Sequence, residues 1–176
     1  MNIVKIAVSL CLLSLLSINA ACGQGEAPKP GPEHARLKKM EGTWDTSWSM
    51  GGKTSKGVAT YKMDMNGLWL MSTFESDNPM GSGKFMGRGS DSYDPGSKKY
   101  VGVWIDSWSA RPMMLEGTYD EAKKTMIMFG EATGPDGQKH KHRMESQMPD
   151  DNTMNFSMFM PDSKEPVFTI VYKRRK

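Results

Sequence analysis

Methionine is the residue type with most to offer chemically, because the chain carries 17 of them. Met1 is the initiator, and most of the rest gather as Met63-x-Met65, Met113-Met114, Met126-x-Met128, Met154 and Met158-x-Met160. On an extended strand, residues two apart share a face, so each spaced pair presents two thioethers to one side. Three roles suit such surfaces. Methionine fills core space in place of leucine; it lines an adaptable apolar cavity for a hydrophobic or amphipathic molecule; or its soft sulfur captures Cu(I). Placement inside strands, rather than in closely repeated loop motifs, argues against copper.

Two further groupings bear on chemistry. His140-x-His142 points two imidazoles the same way on a strand. Two ligands fall short of the four of a structural zinc site, and Lys139, Lys141 and Arg143 flank them with positive charge. The pair therefore reads as a solvated strand face and a poor metal site. Trp104 and Asp106 share a face with Tyr100 and Gly102. If that face is internal, Asp106 is a carboxylate beside an indole, placed to anchor a ligand's polar head, and desolvation raises its pKa. If it is external, Asp106 caps the turn to Trp108. Arg88 is an available counter-charge. Trp44, Trp48 and Trp69 read first as core, and Trp44, Trp104, Asp106 and Arg88 are the candidate ligand contacts.

Enzyme signatures fail on inspection. Gly51-Gly52-Lys53-Thr54 lacks the leading glycine of a phosphate loop, since Ser47 stands there and no helix follows. Gly81-Ser82-Gly83 has no strand-then-helix context, and no serine sits at a nucleophile elbow. Glu116 and Asp120 have no matching partner. With no catalytic constellation, an enzyme is the less favoured reading and no cofactor is expected. The net charge of +3 is too small for nucleic acid, and the basic run Lys173–Lys176 reads as a solvated strand end.

These residues need elements to hold them. Lys5, the apolar run from Ile6 to Ile18 and the exit Ala20-Ala21 have the layout of a secretory signal over residues 1–21. Export to the periplasm or beyond follows. Cys22 succeeds a small-residue pair and is a candidate for lipidation, although Asn19 stands where such signals carry leucine. Membrane contact is expected only through that anchor. Of the two cysteines, Cys11 leaves with the signal, so no internal disulfide is expected. Residues 22–32, rich in glycine and proline, read as a tether, and residues 33–176 as one domain.

Pro32 to Gly42 predicts a short helix, with Pro32 at the first position, Glu33 at the positive dipole end and Gly42 as the stop. Its stripe of Leu37 and Met40 is narrow, so it is expected to plug one end of the main fold. After Gly42, nine turn signals follow: Met50-Gly51-Gly52, Met65-Asn66-Gly67, Asp77-Asn78-Pro79, Asp94-Pro95-Gly96-Ser97, Trp108-Ser109-Ala110, Asp120-Glu121-Ala122, Gly134-Pro135-Asp136-Gly137, Pro149-Asp150-Asp151 and Pro161-Asp162-Ser163. They divide the chain into ten short runs with the composition of strands. Short connections exclude parallel crossovers. An open sheet of ten strands would expose two edges and a bare apolar face. The expected fold is therefore all-β: a closed up-and-down antiparallel barrel of about ten strands, with the helix capping one end.

Gly42-Thr43-Trp44 at the first strand and the basic residues after Tyr172 resemble the calycin group of lipocalins and fatty-acid-binding proteins. That resemblance implies barrel closure by Arg174 packing over Trp44. A longer series is similar to the bacterial family called domain of unknown function 1579. It comprises Gly31-Pro32-Glu33-His34, Leu37, Gly42-Thr43-Trp44, Tyr93-Asp94, Lys99 to Ser107, Glu116 to Asp120 and Tyr172. The family implies a barrel and assigns no activity, and this chain's methionine content departs from it. The function expected is a non-catalytic binding module for a small apolar or amphipathic molecule. The alternatives are an interaction domain with a filled barrel, a Cu(I) binder, or an enzyme using a pocket carboxylate.

Overall fold

Turn chemistry punctuates the chain as its composition dictates. Asp94 accepts hydrogen bonds from the backbone N–H groups of Gly96 (2.9 Å) and Ser97 (3.2 Å), Asn78 accepts from Met80 (2.9 Å), and Asp120 accepts from Lys123 (3.0 Å). Each side chain stands in for a backbone acceptor and reverses the chain locally. The computed structural model describes residues 27–133 and 137–176. The signal segment, Cys22 and most of the Gly134–Gly137 turn lie outside the described residues.

The helix α1 (Pro32–Lys38) begins with proline in its first turn, and Gly31 N–H bonds His34 Nδ1 at 3.0 Å. It is shorter than expected. Gly42 does not stop it but opens the first strand, with φ 135°. A Cβ there would meet Arg174 Nη1 at 2.7 Å, so glycine is required by close approach as well as by backbone angle.

Ten strands follow: β1 (Gly42–Met50), β2 (Lys53–Asp64), β3 (Trp69–Asp77), β4 (Lys84–Asp94), β5 (Lys99–Asp106), β6 (Met113–Asp120), β7 (Thr125–Thr133), β8 (Lys139–Asp150), β9 (Thr153–Phe159) and β10 (Pro166–Arg174). Each pairs antiparallel with the next, and β10 returns to β1, closing the barrel. The seam runs in register from Trp44 opposite Arg174 to Met50 opposite Phe168. Two boundaries differ from expectation. β8 continues through Pro149 by way of a bulge, so the reversal falls at Asp151-Asn152. Met65 leaves the strand for a 3-10 turn (Met65–Gly67) and is exposed, so it shares no face with Met63.

Antiparallel order sorts the barrel into two ends. One holds α1, the start of β1 and the end of β10. There Arg174 Cζ lies 4.1 Å from the centre of the Trp44 ring, and its guanidinium donates to the carbonyls of Lys39 (2.7 Å), Glu41 and Asp151 (2.7 Å). Trp44 is fully buried, and its indole N–H donates to Met40 O at 2.9 Å. Arg36 of α1 ties the helix across this base to Tyr100, Tyr119 and Glu121. Leu37 is buried on the same side. The plug therefore excludes water through a small apolar contact and is oriented by a cationic clamp.

Candidate functional site

The interior is not filled. A cavity of about 790 Å³ runs from Leu37 and Met40 under the helix to Trp108, Thr133, Met160 and Val167 at the opposite end. That size falls within the usual range for small-molecule sites, and ten strands leave more space than an eight-strand barrel does. Closure fixes which parity of each strand faces inward. In β4 the inward set is Phe85, Gly87, Gly89, Asp91 and Tyr93. In β8 it is His140, His142, Met144, Ser146 and Met148. The cross-strand register carries both sets around the wall.

The wall is divided by chemistry. Met113, Met126, Met128, Met144, Met158 and Met160, from β6 to the end of β9, form a flexible thioether surface. Opposite lie rings from β1 to β5 and the following turn, where Trp48 packs on Phe74 (centroids 6.0 Å apart), Phe85 (5.0 Å) and Trp108 (5.5 Å). Such a surface suits an apolar guest of adjustable shape, because Met side chains repack readily and sulfur–aromatic contacts are favourable.

Trp104 and Asp106 face inward near the mouth. The Trp104 N–H donates to Asp106 Oδ2 at 2.9 Å, and Trp108 N–H donates to Oδ1 at 2.8 Å. Asp106 thus takes the inward placement beside the indole, and from there it also caps the turn. Gly87 makes room for Trp104, since a Cβ there would sit 2.1 Å from the ring. Arg88, expected as a counter-charge, has the opposite parity. It lies on the outer face, donates to Gly87 O at 2.9 Å and stands 3.8 Å from Glu75. Trp44 seals the base beneath the cavity and does not line it.

His140 and His142 line the cavity, contrary to the solvated face expected of them. Lys139 and Lys141 are the outward residues, so the positive flank lies on the other side of the sheet. Burial, with His140 alongside, holds the His142 imidazole below its ordinary pKa, and its Nδ1 is buried without a partner. Among the described residues, no three His, Cys, Asp or Glu side chains gather into a metal-holding group.

The sequence reading missed Asp91. Its carboxyl lines the cavity in the helix-side half of β4, and burial pushes it up to about 7. No cation or hydrogen-bond donor among the described residues offsets that burial. Gly102 faces it across the strand pair, where a Cβ would meet Asp91 Oδ1 at 2.3 Å. Nearby, the Tyr61 and Tyr172 hydroxyls lie close to each other, and burial raises both phenols. A signal was present in the sequence. Asp91 alternates in step with Phe85, Gly87, Gly89 and Tyr93, while Lys84, Met86 and Arg88 occupy the other face.

Two solved structures are similar in fold. A designed fluorescence-activating β-barrel has a TM-score of 0.44 and 13% identity, with 79% of this chain and 96% of that one covered. A redesigned β-barrel has a TM-score of 0.45 and 13% identity, with 80% and 96% covered. The search of curated proteins gave no match. The family model described as protein of unknown function (DUF1579) matches residues 29–174, and the chain belongs to that family.

Proposed function

We propose that this protein is a non-catalytic binding module for a small apolar or amphipathic molecule. The observation that carries the reading is the cavity of about 790 Å³, walled mostly by methionine and aromatic side chains, with a few polar groups at fixed positions. Burying apolar surface there contributes roughly 25 cal/mol for each Å² of ligand removed from water. Asp106 is already occupied by two N–H donors, which supports a structural role for it at the mouth rather than a catalytic one.

Native mass spectrometry of the protein purified from its host tests the reading. Expected is a non-covalent mass increment that is lost on denaturation. Titration with the neutral dye Nile red should saturate at one site and alter Trp104 emission. Ala132→Trp, which places an indole against the cavity wall opposite His140, should weaken dye binding about tenfold or more with little change in stability. A protein that carries no ligand and shows no saturable dye binding sinks the proposal.

Separately, the layout of residues 1–21 supports the proposal that the protein is exported, with Cys22 the candidate anchor.

A further inference from the structure

The binding reading leaves the ligand's polar end open, and the charge inventory of the wall narrows it. Among the described residues, no lysine or arginine lines the cavity; its ionisable groups are Asp91, Asp106, His140, His142 and the phenols of Tyr61, Tyr100 and Tyr172. A carboxylate or phosphate head would find no fixed counter-charge at the deep end and would meet Asp91 instead. Both Asp106 oxygens already accept N–H donors. Asp91 is the acceptor left over. Gly102 keeps a side chain away from it, since a Cβ there would collide with its Oδ1 at 2.3 Å.

We propose, resting on that binding reading, that the ligand enters head first, its protonated amine held by the Asp91 carboxylate and its apolar body running outward along the methionine wall. Position supports the orientation. Asp91 pairs with Gly102, whereas Asp106 pairs with Gly87, four residues nearer the mouth on β4. At about 3.3 Å per residue along a strand tilted roughly 40° to the barrel axis, the head lies about 10 Å below the level of Asp106. A buried carboxylate without a cation is unfavourable, and an ammonium supplies the missing charge where the low dielectric makes the pair strong. The Tyr61 face adds an electrostatic surface for a cation. The other titratable groups on the wall differ in kind. Tyr61, Tyr100 and Tyr172 stay neutral below strongly alkaline pH, while Asp106, His140 and His142 are placed at the mouth.

Decylamine, decanol and decanoate share one tail and differ in head, so calorimetric titration of the full chain with each tests the claim. Near pH 8 the amine should bind about 10- to 100-fold more tightly than the alcohol, and decanoate most weakly. Asp91→Asn should bring amine and alcohol to parity while leaving alcohol binding intact. Should the variant be poorly folded, the natural chain still decides the matter. Its amine affinity should rise about tenfold or more from about pH 5 to pH 8, with proton release, while decanol binding stays flat. Equal binding of amine and alcohol, or an amine preference that survives Asp91→Asn, overturns the amine head and leaves the cavity reading standing. Binding of none of the three overturns both.

Discussion

Removing the buried charge should stabilise the protein, and only above a defined pH. Asp91 is raised from 3.8 to about 7 by burial. Between these values the folded chain binds a proton that the unfolded chain has released. Stability therefore falls as pH rises from about 4 to about 7 and is level above that. A difference of about 3.2 at 1.36 kcal/mol per pKa unit gives roughly 4 kcal/mol. Asp91→Asn keeps the shape and cannot ionise. It should match the natural protein near pH 4 and exceed it by up to roughly 4 kcal/mol near pH 8. With a urea m-value of about 2 kcal/mol/M, the midpoint moves by about 2 M. Paired urea titrations across this range, followed by tryptophan fluorescence, measure the change. His142, whose lowered pKa makes stability fall as pH drops toward and below its unfolded value, acts equally in both proteins and cancels in the difference. Parallel pH curves for the two proteins would refute the argument, because they would mean that water or a cation already reaches the carboxyl.

Other expectations follow from the closure and the wall. Arg174→Ala removes a cation stacked on Trp44 and the donors to three backbone carbonyls; a loss of roughly 2–4 kcal/mol in urea melts is expected, with Arg174→Lys recovering only part of it. Gly117→Ala places a Cβ 1.9 Å from Ile127 O on β7, where backbone must shift, and should destabilise by about 3 kcal/mol in the same assay. Intact mass of the protein from its host should begin at residue 22; an added acyl mass that Cys22→Ser abolishes identifies the anchor, and retention of residues 1–21 would refute export by cleavage.

Local chemistry carried most of the fold. Proline and glycine set allowed φ, Asp94 and Asn78 reverse the chain through their own backbone bonds, and alternation marks the strands between. None of this depends on distant contacts, so ten strands and a capping helix were readable from the chain alone. The seam between β1 and β10, with Arg174 over Trp44, was legible through the resemblance to the calycin group, whereas Gly42 read as a helix stop and proved to open β1. Parity was different. Whether His140 or Lys139 points inward depends on how the whole sheet curls, and an isolated segment carries charge on either reading. In β4 the alternation of Phe85 and Tyr93 with Lys84 and Arg88 did mark the inner face, and Asp91 was overlooked despite it, while Arg88 was offered as a counter-charge from the outer face. The void itself is a property of closure alone: it is the volume that ten strands enclose beyond what their inward side chains fill, and no single stretch of sequence encodes that difference.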